Sequence, residues 1–404
     1  MIQNGVIYMK RKLELYGTLG PADHSGEILH EMFQAGMTGL RLNLSHTNLR
    51  ECEPWLHTLH AVAEKRHIVP DLLIDLQGPE VRIGALTEPL LLLAGNTVRL
   101  CPVSAYSETD SAVSGGEHPA CPDSSSSDKT EQEKAIAAIA VNGVSAIDAF
   151  PSLTVSRKTL PSIPVPDAVF PYFKEGQTLR LDDGKIILTV KSVDAALPEA
   201  ETVVVTGGLL SSRKSLAIDG VSVELPTLTA QDLENLRILD RYRVTGVMLP
   251  FVRSGEDLLN LRKALLEYGH AHVRIFAKIE NRRGVEQLSS LLPHCDQIVI
   301  ARGDLGNAYP LPQLPAIQKQ IARTCLAFKK PFMVVTQMLA SMEEHPVPTR
   351  AEVSDIFNAV LDGASSLMLT GETAAGKYPA KAMQVLSDTA FEALRYRMEA
   401  KFFL

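Results

Sequence analysis

Residues 273–306 read VRIFAKIENRRGVEQLSSLLPHCDQIVIARGDLG. A β-branched, apolar run at 273–279 leads into Glu280, an amphipathic stretch follows at 284–292, and a second apolar run at 297–301 ends on Arg-Gly-Asp. Strand, helix, strand in that rhythm is the pattern of a parallel βαβ unit. The rhythm continues in both directions, with strands expected near 12–16, 39–44, 72–75, 244–250, 332–336 and 366–369. Helical periodicity falls at 26–35, 230–242, 255–268, 315–328 and 351–361. Thr349-Arg-Ala-Glu352 has the form of a capping box, and Gly363 is a natural stop for the helix it opens. Eight such strands favour a closed (β/α)8 TIM barrel over an open sheet. The unusual polar residues support that choice, because Thr18, Asn43, Asp75, Glu280, Asp304, Thr336 and Glu372 all fall at or just past strand ends. A barrel gathers those ends on one face, where active sites are built.

The rhythm breaks between 89 and 218. Residues 104–128 are rich in Ser, Gly and Pro and contain SSSSD, which reads as a flexible segment. Residues 167–208 alternate with period two around turns, which suggests a small antiparallel β domain. Barrel strands resume beyond it, so 89–218 is expected to be an insertion after the third strand, with 1–88 and 219–404 forming the barrel. An insertion on the catalytic rim suits a lid that excludes water.

Composition narrows the class. Of 404 residues, 45% are hydrophobic and 22% charged, with a net charge of −7, so neither nucleic acid nor an anionic membrane is an expected partner. No run approaches the length of a membrane span and no export signal opens the chain. Cys52, Cys101, Cys121, Cys295 and Cys325 lack any CxxC spacing, which argues against a zinc site and for a reducing, cytoplasmic setting.

Four constellations carry chemistry. AKIEN (277–281) and ARGDLG (301–306) set Glu280 and Asp304 at the ends of successive strands, where two carboxylates could share Mg²⁺ and leave positions for substrate oxygens. Lys278 shares a strand face with Glu280 and could neutralise charge on a phosphoryl group or an enolate; a structural ion pair is the plainer alternative. RLNLSH (41–46) offers Arg41 as a forked phosphate donor, with Asn43 and Ser45 on one face able to bind a cation alongside Asp75, or simply to cap the next helix. YGTLGPA (16–22) and DLQGPEVRIG (75–84) place Gly-Pro turns after strands, with Arg82 within reach of a phosphate. VVTQML (334–339) and LTGET (369–373) bring Thr336, whose hydroxyl could orient substrate or relay a proton, to a barrel mouth.

In order, TLGPA, RLNLSH, Asp75 with GPEVRIG, LDDG (181–184), AKIEN, ARGDLG, TQMLASMEEHPVPTRAEVSD and LTGETAAGKYP resemble the pyruvate kinase family. The resemblance implies transfer of a phosphoryl group between phosphoenolpyruvate and ADP. It implies that Lys278 stabilises the transition state and that Glu280 and Asp304 hold Mg²⁺ or Mn²⁺. Gly303 and Asp304, through their N–H groups, and Thr336 would hold the substrate carboxylate, while Arg41 takes the phosphate. Asn43, Ser45 and Asp75 would line a K⁺ site, and Thr18, Pro21, His46, Arg82 and Lys214 would face the nucleotide. The helix after PTRAE resembles the family's barrel–barrel interface, which implies a homodimer.

Some positions depart from the family pattern. Leu76-Gln77 stands where Thr-Lys is usual, and Ala308 where an acidic residue is. Leu76 matches potassium-independent members but Glu80 does not, so the two disagree about K⁺. The family's C-terminal domain has no counterpart in this sequence, which implies insensitivity to sugar-phosphate effectors. Two other readings are open: a metal-dependent lyase or aldolase acting on pyruvate or phosphoenolpyruvate, and a non-catalytic regulatory paralogue. Lys278, TLGPA and the lid distinguish a kinase from the first; intact Lys278, Glu280, Asp304, Thr336 and Arg41 weigh against the second.

Overall fold

The computed structural model describes residues 13–45, 47–106, 160–182, 184–194, 198–221 and 223–400. In chain order the strands are β1 (Glu14–Leu19), β2 (Gly39–Asn43), β3 (Asp71–Asp75), β4 (Leu90–Leu92), β5 (Thr97–Pro102), β6 (Ser162–Val165), β7 (Thr178–Leu181) and β8 (Ile186–Asp194). They continue as β9 (Glu199–Thr206), β10 (Gly208–Leu210), β11 (Leu216–Ile218), β12 (Gly246–Leu249), β13 (Arg274–Ile279), β14 (Gln297–Ala301), β15 (Phe332–Val335) and β16 (Ser366–Met368). The chain forms two compact units, Met1–Glu80 with Glu224–Leu404, and Val81–Val223.

In the first unit β1, β2, β3 and β12 to β16 close into a parallel barrel, in the order β1-β16-β15-β14-β13-β12-β3-β2. The expected (β/α)8 barrel is therefore present. Its strands are buried on both faces, as parallel strands wrapped by helices must be. Inside, Tyr16, Leu73, Met248, Phe276, Val299, Ala301, Met333, Val335 and Met368 form one apolar cluster. A second, larger cluster lies between strands and helices. Gly39 and Gly246 leave room for the largest interior rings, since a Cβ on either would stand 2.7 Å from Tyr16 or 2.6 Å from Phe276. β1 starts and ends later than the 12–16 expected from sequence, running on through Gly17 to Leu19.

Helix entries are specified locally. Ser25, Thr229, Asn281 and Thr349 each accept a first-turn N–H, and Thr349 with Glu352 completes the expected capping box.

The second unit holds a six-stranded sheet, β11-β7-β8-β9-β5-β6, and the pair β10-β4. Within the stretch 167–208, β7, β8 and β9 pair antiparallel, whereas β5 and β6, which precede it, pair in parallel. A parallel pair requires a long crossover rather than a tight turn, and the chain between Pro102 and Ser162 supplies that length. Residues 81–84 join this unit through an antiparallel bridge, Arg82 to Ser215, with Ile83 N–H donating to Lys214 O and Leu216 N–H to Val81 O. Most of the Ser-rich segment, from 107 onward, lies outside the described residues.

Candidate active site

The period of two along a strand sets which side chains reach the mouth of the barrel. Tyr16, Leu73 and Phe276 point into the interior cluster. Two residues further on, the same faces carry Thr18, Asp75 and Lys278, and Glu280 follows just beyond β13. On β2, Arg41 and Asn43 lie two and four residues beyond Gly39, and Asn43 is in register with Asp75. The polar layer therefore sits directly on the apolar one.

Its centre is the buried carboxylate of Asp75. Lys278 Nζ donates to Asp75 Oδ1 and Oδ2 at 3.2 and 2.9 Å, and Arg41 donates to Oδ2 through Nε at 2.9 Å and Nη2 at 2.6 Å. Burial alone would push the Asp75 carboxyl up, but Lys278 and Arg41 together bring it below the usual carboxylate range. Burial works against the Lys278 ammonium, yet Asp75 and Glu280 hold its pKa above that of a free lysine. Lys278 is thus a fixed cation at any physiological pH.

Glu280 differs. Its Oε2 accepts the Phe251 N–H at 2.7 Å. Its Oε1 lies 3.0 Å from Lys278 Nζ but outside hydrogen-bond geometry, and it is buried with no hydrogen-bond partner. Burial raises this carboxyl to about 7, Lys278 opposes the rise, and Asp304 and Asp75 add to it. A buried carboxylate oxygen without a donor, in the field of a second carboxylate, suits a hard divalent cation. Among the described residues no three His, Cys, Asp or Glu side chains gather into a metal cage. Two carboxylates with substrate oxygens completing the shell would not require one.

Beyond β14 and β15 the site is set by backbone. Arg302, Gly303 and Asp304 open the short helix Arg302–Ala308, and Gly303 N–H donates to Thr336 Oγ1 at 2.8 Å. Thr336 Oγ1 in turn donates to Val335 O at 2.6 Å. Thr336 and Gln337 adopt φ of +72° and +52°, both in the left-handed region. For a β-branched residue that conformation costs on the order of 1–3 kcal/mol. Arg302 meets it, donating to Thr336 O at 2.6 Å and to Asp355 Oδ2 at 2.6 Å. No local sequence signal marks Arg302, Asp355 or the strained threonine.

The other expected positions are more dispersed. Thr18 is buried, donating to Leu369 O at 2.9 Å and receiving Arg41 Nη1 at 3.5 Å. Asn43 Oδ1 accepts both the N–H and hydroxyl of Ser45, at 3.2 and 3.0 Å. Pro21 lies in an exposed turn where His24 Nδ1 approaches Pro21 O at 3.0 Å. His46 lies outside the described residues. In the second unit, Lys214 pairs with Asp182 at 2.8 Å and Arg82 donates to Arg213 O at 2.9 Å. Leu76 is fully buried, and Gln77 Oε1 accepts from Thr229 Oγ1 at 3.2 Å. Asp232, which sequence reasoning passed over, accepts the N–H groups of Gln77 and Gly78 while capping its own helix.

Comparison with known proteins identifies the family. The family model described as pyruvate kinase, barrel domain, matches residues 10–113 and 160–383. A pyruvate kinase of Chlamydia pneumoniae is 34% identical over 384 residues, covering 95% of this chain and 69% of that protein. Those of Sporosarcina psychrophila and Geobacillus stearothermophilus are each 33% identical, covering 96% of this chain and 58% of theirs. The chain thus spans little more than half to about two-thirds of the length of these relatives. With an eight-stranded barrel, a lysine–carboxylate cluster at its mouth and a family match across most of its length, this chain belongs to the pyruvate kinase family.

Proposed function

We propose that this chain transfers the phosphoryl group of phosphoenolpyruvate to ADP, giving pyruvate and ATP. The observation that carries the reading is Lys278, a cation fixed between Asp75 and Glu280 at the barrel mouth. Phosphoryl transfer asks a protein mainly to position groups and to stabilise charge on the equatorial oxygens. Lys278 supplies that charge without reorganising, because its position is already set by two carboxylates. Arg41 presents its guanidinium beside Asp75 and orients the phosphate. The N–H groups of Gly303 and Asp304, with the Thr336 hydroxyl, hold the substrate carboxylate once the Gly303–Thr336 and Thr336–Val335 hydrogen bonds yield to it. Departure of the phosphoryl group leaves an enolate, and a proton delivered to C3 through Thr336 and water completes pyruvate.

Glu280 and Asp304 would hold Mg²⁺ or Mn²⁺, which when bound polarises substrate oxygens. Asn43, Ser45 and Asp75 are the K⁺ candidates, although both Asp75 oxygens already accept from Lys278 or Arg41. Thr18 and Pro21, at the end of β1 and in its turn, face the nucleotide. The proposal extends to a homodimer through the helix Arg350–Leu361 and to a cytoplasmic setting. Among the described residues no helix is long and apolar enough to cross a membrane.

The test is pyruvate formation from phosphoenolpyruvate and ADP with Mg²⁺, run with and without K⁺. Turnover supports the reading, and the K⁺ arm decides the cation. Absence of turnover in both arms, with folded protein, would favour the non-catalytic alternative.

A further inference from the structure

Thr336 faces the proposed substrate in a backbone conformation that its own side chain disfavours, and Gln337 repeats the anomaly. Two consecutive left-handed residues without glycine persist only where the surroundings over-determine them. The surroundings here can be named. Arg302 sends one arm of its guanidinium to Thr336 O at 2.6 Å and more distantly to Gln337 O at 3.4 Å; the other arm reaches Asp355 at 2.6 Å. The Arg302 side chain is 11% exposed, so these bonds are largely screened from water. At the side chain of the same residue, Gly303 N–H donates to Thr336 Oγ1 at 2.8 Å. The carbonyl and the hydroxyl of Thr336 are thus gripped by successive residues, 302 and 303, of one helix start.

We propose that Arg302, braced by Asp355, is a positioning residue that holds Thr336 in its left-handed conformation and so aims the threonine hydroxyl at the substrate. Its consequence for turnover rests on the phosphotransfer reading; its consequence for the backbone does not. Asp355 lies on the helix Arg350–Leu361, so the device ties the end of β15 to that helix through a residue that follows β14. A planar fork is needed, because Arg302 must serve a carboxylate and a carbonyl at once.

The test uses Arg302→Lys and Arg302→Gln in the full chain, with crystal structures and kinetics. Lysine keeps the charge but cannot span both acceptors, which guards against a variant that fails to fold. In both variants the φ of Thr336 should leave the left-handed region. Pyruvate formation should fall by roughly 10–100-fold with the KM for ADP little changed, the scale of a misplaced reacting group. Arg302→Lys combined with Thr336→Ala should be no slower than Thr336→Ala alone, because both lesions disable the same hydroxyl. Retention of φ near +72° in the folded variants would overturn the proposal, as would multiplicative losses in the double variant. If the wild-type chain forms no pyruvate, the phosphotransfer reading fails by itself and the φ of Thr336 still decides this one.

Discussion

Lys278 and Asp75 meet across β12, which lies between their strands: Nζ stands 2.9 Å from Oδ2, with Asp75 buried and the Lys278 side chain 12% exposed. Two residues 203 apart in sequence are thereby made one electrostatic unit, with Arg41 as its second cation. Removing one member of a buried pair leaves the other uncompensated, a larger loss than the pair's net contribution to stability. Asp75→Asn should therefore destabilise the barrel by at least about 3 kcal/mol. Denaturant unfolding checks this; a loss under about 1 kcal/mol would mean that water or rearrangement compensates both cations.

Glu280 offers a separate handle on the metal. Glu280→Gln keeps an oxygen for the Phe251 N–H but removes the charge that attracts a divalent cation. Mn²⁺ affinity, read by electron paramagnetic resonance of the free ion, should fall at least about tenfold, the scale on which metal-site substitutions act. Stability without metal should fall less than in Asp75→Asn, since Lys278 keeps both hydrogen bonds to Asp75. Unchanged Mn²⁺ binding would remove Glu280 from the site.

Asp23 sets a pH dependence outside that cluster. It is fully buried in the turn after β1, accepts the Gly20 N–H at 2.7 Å through Oδ1, and leaves Oδ2 without a partner. Burial pushes its carboxyl from 3.8 to about 8, with the Gly20 hydrogen bond pulling only partly back. Between those values the folded chain keeps a proton that the unfolded chain has released. This group's contribution to stability therefore falls as pH rises from about 4 to about 8, then levels off. Asp23→Asn keeps an acceptor for Gly20 and abolishes the titration. Its melting temperature should match the parent near pH 4 and exceed it increasingly up to pH 8. Parallel melting curves for the two proteins across that range would refute the assignment.

The sequence exposed the barrel because eight apolar runs alternate with amphipathic stretches, and because strand-end residues such as Asp75, Glu280 and Asp304 are polar where a core would not tolerate them. Lys278 and Glu280 were legible as one face of a strand. The pairing of Lys278 with Asp75 was not, because strand spacing says nothing about which cation a carboxylate will choose. Arg41 was read as a phosphate donor, and the structure adds that it is bonded to Asp75. Thr336 was legible as a hydroxyl at a barrel mouth, but not as a left-handed residue, because threonine is among the last types that pattern would place there. Its brace was hidden for the same reason as the capping role of Asp232 over Gln77 and Gly78: the partners are distant in sequence and joined only by the closed fold.

The central claim is that Lys278 stabilises transferring charge, and Lys278→Met tests it most directly. Methionine keeps much of the side-chain bulk and deletes the ammonium. The measurement is the rate of pyruvate formation from phosphoenolpyruvate and ADP with saturating Mg²⁺, alongside a melting curve that establishes folding. The account predicts a fall of roughly 10²–10³-fold in turnover, as for removal of a fixed electrostatic stabiliser, in a protein that still melts cooperatively. Proton exchange at C3 of pyruvate should fall less, since Thr336 remains in place. Near-parental turnover in folded Lys278→Met protein would contradict the account and leave Lys278 as the structural counter-ion of Asp75 and Glu280.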